Sequence, residues 1–191
     1  MKTIIVTGGI GGGKSEVCRY LATKGFPVYD SDSRVKSLYD EVPGLWNYIK
    51  AKFEIKDRWE LADLIFNDAK SREELESIVY PILKDDFLDW RDSRKEPFCV
   101  FESAVATDKP FFDDIADIIV FVDCPEEIRI ERAAARDKTS RDSIAMRMRS
   151  QVLAPEKADY IIENDSDLYA LRRKTDEIIA NFVKENNKNE N

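Results

Sequence analysis

Gly8-Gly9-Ile10-Gly11-Gly12-Gly13-Lys14-Ser15 is the stretch whose reading decides the fold. It matches G-x-x-x-x-G-K-[ST] at every fixed position. An apolar, β-branched run at residues 3–7 precedes it and a helical pattern over 14–24 follows, which is the strand–turn–helix context the motif requires. Glycines there let the backbone curl until successive N–H groups face one anion. The helix start adds unpaired N–H groups and a partial positive charge of roughly half a unit. Lys14 is then the side chain to reach the β- and γ-phosphates of a nucleotide, and the Ser15 hydroxyl the one to ligate Mg²⁺. Gly9, Ile10, Gly11, Gly12, Gly13, Lys14, Ser15 and Glu16 form the expected nucleotide cradle. The motif alone does not separate kinases from GTPases or motor ATPases.

Outward from the loop, apolar runs at 3–7, 28–30, 98–101, 118–123 and 160–162 alternate with helical patterns. Three are nearly continuous in apolar residues, as parallel strands buried on both faces must be. The expected fold is a P-loop NTPase-type three-layer α/β/α architecture with a five-stranded parallel sheet. Residues 33–94 interrupt the alternation with helical patterns such as Leu61-x-x-Leu64-Ile65 and Leu75-x-x-Ile78-Val79. That insertion is far longer than the ~10–12 residues a crossover needs. It reads as a substrate platform or as packing helices. Within it, Tyr80-Pro81 marks a helix boundary or kink, because proline disfavours helical geometry in the residue before it. One domain is expected: a core of 1–32 and 95–185, the helical insertion 33–94, a short lid at 132–145 and a polar, frayed tail at 184–191.

Composition narrows the function. The 191 residues carry a formal charge of −8, which argues against nucleic acid or an anionic membrane as partner. Cations that handle phosphate must therefore be concentrated locally. The absence of histidine excludes imidazole acid/base chemistry and the usual zinc sites. Met1-Lys2 runs directly into a strand too short for a leader or a membrane span. Cys18, Cys99 and Cys124 have no CxxC spacing and read as reduced, buried thiols of a cytoplasmic protein.

Three acids fall at carboxyl ends of strands, where ligands of parallel sheets bind. Asp30 and Asp32 follow the second strand and Glu102 the third. Phosphoryl transfer uses one carboxylate to orient the acceptor hydroxyl and another near the metal. Asp32 is the expected base with Asp30 in support, and Glu102 the expected Walker B-like acid at Mg²⁺. The competing reading of the pair is helix capping, since Asp30-Ser31-Asp32-Ser33 is rich in cap residues. After the fourth strand, Asp123-Cys124-Pro125-Glu126-Glu127 reads as a helix start with a capping acid. Along that helix Arg129, Arg132 and Arg136 share a face. Arg129 is read as a solvated, salt-bridged residue. Arg132, Arg136 and Arg141 are the candidates to close over the phosphates.

Assembled, these pieces resemble the dephospho-CoA kinase family. The resemblance runs from about Thr3 to Phe182 and rests on Thr7 to Ser15, on Gly25-Phe26-Pro27-Val28-Tyr29-Asp30-Ser31-Asp32, on Leu75-Glu76-Ser77-Ile78-Val79-Tyr80-Pro81, and on Arg132-x-x-x-Arg136-Asp137, Arg147-Met148-Arg149-Ser150-Gln151 and Ala158 to Asn164. It implies ATP, Mg²⁺ and dephospho-CoA as ligands, with the phosphate going to a ribose 3′-hydroxyl. It further implies Asp32 as base, an acceptor-binding helical region, a monomer or small homo-oligomer, and Asn164 near the adenine. Other small-molecule or nucleoside-monophosphate kinases share the loop and lid, and an ATP-dependent switch shares the loop. Three departures stand out: Tyr80-Pro81 where the family has His-Pro, Ala104 to Asp108 where it has Pro-Leu-Leu-x-Glu, and Glu16 where a small hydroxyl residue is common.

Overall fold

The structure, a computed structural model, describes residues 1–107 and 110–189. Asp108 and the last two residues of the tail lie outside the described residues. The chain divides into two compact units. One comprises Lys2–Val28 and Glu96–Asn191, and the other Tyr29–Lys95 with Met1. The sequence boundary at residue 33 thus moves to 29, and Asp30 and Asp32 belong to the helical unit.

The strands are β1 (Lys2–Thr7), β2 (Val28–Asp30), β3 (Phe98–Glu102), β4 (Ile118–Asp123) and β5 (Tyr160–Glu163). They form one parallel sheet in the order β2-β3-β1-β4-β5. The continuous apolar runs explain the arrangement, for Ile4, Ile5, Val6, Val100 and Val122 are fully buried. On one face, α1 (Lys14–Thr23) contributes Val17, Cys18 and Leu21, and α8 (Leu168–Asn189) contributes Leu171, Ile179 and Phe182, to a core with those strands. α8 keeps helical backbone as far as Asn189, so the stretch from Lys184 read as frayed is helical up to there. Register pairs Val6 with Glu102, Thr7 with Phe121 and Asp123 with Glu163, which brings the carboxyl ends of four strands to one edge.

Two further helices complete the core unit: α6 (Glu126–Asp137) and α7 (Arg141–Arg149). They pack against each other through Ile130, Ala133, Ile144 and Met148, with Ile10 of the glycine loop against the same cluster. Ser140 caps α7 by accepting from Ser143 N–H at 3.1 Å. Asp123 does not cap α6, contrary to the sequence expectation. Its carboxylate accepts from the adjacent Cys124 N–H at 2.9 Å, and α6 begins after Pro125 without a side-chain cap.

The helical unit consists of α2 (Ser31–Glu41), α3 (Leu45–Phe53), α4 (Arg58–Asn67) and α5 (Ala69–Asp92). Tyr39, Leu45, Ile49, Leu61, Leu75 and Val79 form its core. Tyr29 packs edge-on against Phe87 and Trp90 and donates to Asp86, which also accepts two hydrogen bonds from Arg34 at 2.7 Å each. That guanidinium holds the Asp86 carboxyl below its usual range, while burial raises the Tyr29 phenol.

Pro81 does not end a helix; α5 runs through it for 24 residues. Buried residues recur every fourth position, at Leu75, Val79, Leu83 and Phe87, and keep one face packed on both sides of the proline. Pro81 lies on the opposite, exposed face, where its missing N–H costs one helical bond and its ring gains no packing. Pro81→Ala should therefore stabilise the protein by roughly 1–3 kcal/mol. Urea unfolding checks this: the midpoint should rise at constant slope, and a fall would show that the proline suits its site.

Candidate active site

The loop between β1 and α1 is held by its own backbone and by close neighbours. Gly12 N–H donates to Gly9 C=O at 3.0 Å, and Gly13 C=O receives Glu16 and Val17 N–H at 3.0 and 3.1 Å. Gly11 and Gly13 adopt φ of 75° and 105°. A Cβ on Gly11 would collide with the Arg129 carbonyl, and one on Gly13 with the Asn164 amide. Only glycine fits either place. Asp30, Asp57, Asp68 and Ser140 cap their helices with side-chain oxygens, whereas α1 starts at Gly13 with none. The N–H groups of its first turn can accept an anion.

Lys14 is half-buried, and its ammonium lies 3.4 Å from the Gly9 carbonyl. Ser15 Oγ donates to Glu102 Oε1 at 2.6 Å across 87 residues of sequence. The register that sets Glu102 beside Val6 at the end of β3 is what brings this acid to the helix start. Serine and carboxylate oxygens side by side make a donor set for a hard divalent cation.

On the far side of the loop, Gly13, Glu16, Arg132, Asn164, Leu168 and Leu171 line a cavity of about 270 Å³. Asn164 is buried, takes the Asp123 carbonyl through its own N–H at 2.7 Å, and donates its amide to Gly12 C=O at 2.8 Å. It therefore braces the loop as well as lining the cavity. Glu16, an acid close to where phosphate would sit, is paired with Arg19 and with Arg172, the latter at 3.2 Å. Arg172 borders the candidate site through Glu16, a relation in space that the sequence did not flag.

The arginines divide differently from the expectation. Arg136 is exposed and forks onto Asp137 at 2.7 and 3.2 Å, and Arg141 pairs with Glu127. Arg132 lines the cavity and donates to Cys124 Sγ at 3.5 Å. That thiol is buried, which pushes its pKa up against the pull of Arg132 and Arg129. Arg129, read as solvated, is instead only 9% exposed and lies against the loop at Gly9 and Gly11. Helical spacing put it on a charged face; the loop packed onto that face buries it. Gln151 was also missed as a contact. Its Oε1 accepts from Ile10 N–H at 2.8 Å across 141 residues, a relation no local pattern encodes.

In the helical unit, Asp30 is the N-cap of α2, accepting from Ser33 N–H at 3.0 Å and Ser33 Oγ at 2.7 Å. The capping reading thus belongs to Asp30. Asp32 stands in the first turn of α2 with its side chain exposed.

Residues 2–170 match the family model described as dephospho-CoA kinase. A dephospho-CoA kinase of Porphyromonas gingivalis is 41% identical over 175 residues, 86% of each chain. A crystal structure of a Thermus thermophilus protein superposes with a TM-score of 0.81 at 26% identity, covering 94% of this chain and 97% of that one. A dephospho-CoA kinase structure from Campylobacter jejuni shares the fold with a TM-score of 0.67 at 24% identity, covering 97% of this chain and all of the other.

Arg136 and Arg147 hold the Asp137 carboxyl down to about 2. A depressed carboxylate stabilises the folded form above the ordinary range near 4 and loses that contribution as pH falls through about 2. Asp137→Asn should therefore lower the thermal midpoint at pH 7, with the gap to wild type closing towards pH 2. Carboxyl NMR titration gives the direct reading; a midpoint near 4 would show the pairs to be ineffective in solution.

Proposed function

The chain belongs to the dephospho-CoA kinase family, and from that premise we propose that it transfers the terminal phosphate of ATP to the ribose 3′-hydroxyl of dephospho-coenzyme A, releasing ADP and coenzyme A. The observation that carries the donor half is the uncapped start of α1 beneath the glycine loop, with Ser15 hydrogen-bonded to Glu102. ATP is the nucleotide this family uses.

In this reading the loop N–H groups and the first turn of α1 bind the phosphate chain, and Lys14 neutralises its β/γ end. Ser15 and Glu102 would hold Mg²⁺, which when bound offsets charge on the β- and γ-oxygens. Asn164 keeps Gly12 and Gly13 in place while the adenine takes the cavity it lines, next to Arg132. Glu16 does not repel the nucleotide, because Arg19 and Arg172 compensate its charge. Asp32 orients the acceptor hydroxyl and takes its proton as the new P–O bond forms. Arg136 and Arg141, released from Asp137 and Glu127, supply charge to the transferring group. The helical unit holds the acceptor.

Incubating the protein with MgATP and dephospho-CoA should yield coenzyme A by mass spectrometry. Lys14→Ala and Asp32→Asn should each reduce turnover by at least about a hundredfold without unfolding the chain. Near-normal rates in Asp32→Asn would remove that residue from its role, and no product under any metal or pH would end the acceptor assignment.

A further inference from the structure

Arg129 is a buried charge with no counter-charge among the described residues. Its residue is 9% exposed, its Nε is sealed from solvent without a hydrogen-bond partner, and its side chain has no hydrogen bond or ion pair among the described residues. Burying a guanidinium in this state is costly, because its Nε donor gives up water and receives no acceptor in exchange. Packing alone would be served by an apolar side chain of similar length.

The place of this charge is informative. Arg129 Nη1 is pressed against the Gly9 backbone, where it fills the space a Cβ would take. Gly9 also offers its carbonyl to Lys14 Nζ at 3.4 Å. The next residue, Ile10, points its N–H at an oxygen, that of the Gln151 amide, 2.8 Å away. An ammonium, a guanidinium and an N–H already holding an acceptor oxygen therefore meet around one residue of the loop. Lys14 of this motif serves the β- and γ-phosphates, so Arg129 stands at the same end of the nucleotide's phosphate chain.

We propose that Arg129 is a second fixed cation of the loop, donating to the terminal phosphate of the bound nucleotide and so making the site prefer a triphosphate over a diphosphate. The proposal rests on the loop as the ATP site and is independent of which acceptor is phosphorylated. An arginine at this point adds planar, directional donors to the single point charge of Lys14. The alternative is a strut that merely supports the loop from below.

Calorimetric titration of ATP, ADP and AMP, each with magnesium and without acceptor, separates the two. In Arg129→Met, ATP binding should weaken about tenfold to a hundredfold while ADP changes less than threefold and AMP is unaffected. The thermal midpoint of the nucleotide-free variant should equal or exceed that of wild type, since methionine fills the space without stranding a charge. Equal weakening of ATP and ADP would mean that Arg129 only props the loop, and unchanged ATP binding would mean that it reaches no phosphate. Either result overturns the proposal. Arg129→Lys carries the same test should the methionine variant fail to fold, with a smaller loss for ATP and ADP again spared. Wild-type protein that bound no ATP would sink the loop reading and this proposal together, whereas intact ATP binding without coenzyme A formation would touch the acceptor alone.

Discussion

The site depends on how tightly the glycine loop is enclosed. The end of β4 at Val122, the backbone of α6 at Arg129 and the amide of Asn164 each occupy a place where a loop side chain would begin. Enclosure on those sides leaves the backbone one curl to adopt, and that curl turns the N–H groups of the loop and of the first turn of α1 in one direction. The same crowding explains why distant segments matter. Asn164 can hold Gly12 only because the register of β5 on β4 delivers it beside Asp123, whose carbonyl fixes its backbone. Ile10, in turn, ties the loop to α6 and α7 through their shared apolar cluster. A shift in either helix would be felt by the loop backbone directly.

Charge is managed locally against an overall balance of −8. Glu16 is matched by Arg19 and Arg172, Asp137 by Arg136 and Arg147, and Glu127 by Arg141. These pairs are at least partly exposed and contribute little stability each. Their consequence is that exposed guanidinium groups start from partners, so engaging a phosphate means exchanging one oxyanion for another. Arg129 is different. Among the described residues its side chain has no hydrogen-bond or ion-pair partner to leave.

Much of this was legible in the residues themselves. The loop motif, the apolar strands and the helical patterns follow local rules, and the strands at 28–30 and 118–123 agree with the structure at both ends. Glu102 could be placed near the cradle because strand ends in a parallel sheet converge. What local reasoning misjudged was decided by tertiary packing. Pro81 obeys a rule about helix boundaries, yet a face of Leu75, Val79, Leu83 and Phe87 outweighs one missing bond. Asp123 has the character of a cap, but its position in register with Glu163 turns it to its own neighbour. Arg129 shares its spacing with Arg132 and Arg136, and only the loop lying on α6 separates a buried cation from two exposed ones. The contact of Gln151 with Ile10 has no local signal, although Gln151 ends one of the stretches that carry the family resemblance.

Where the chain departs from the rules of a satisfied protein is therefore meaningful. Helices α2, α4, α5 and α7 are capped by side chains, and in the helical unit the half-buried Arg34 is met by Asp86. In the core unit, Thr7 Oγ1 and Arg129 Nε are buried polar atoms without partners among the described residues, and both border the glycine loop. Positive φ at Gly8, Gly11 and Gly13 and the uncapped start of α1 fall within the same few residues. Single departures occur elsewhere too, in the uncapped starts of α3 and α6 and in the positive φ of Glu54 and Lys138. At the glycine loop, unpartnered buried polar atoms, positive φ and an uncapped helix start coincide, and an anion on the loop would supply the missing interactions.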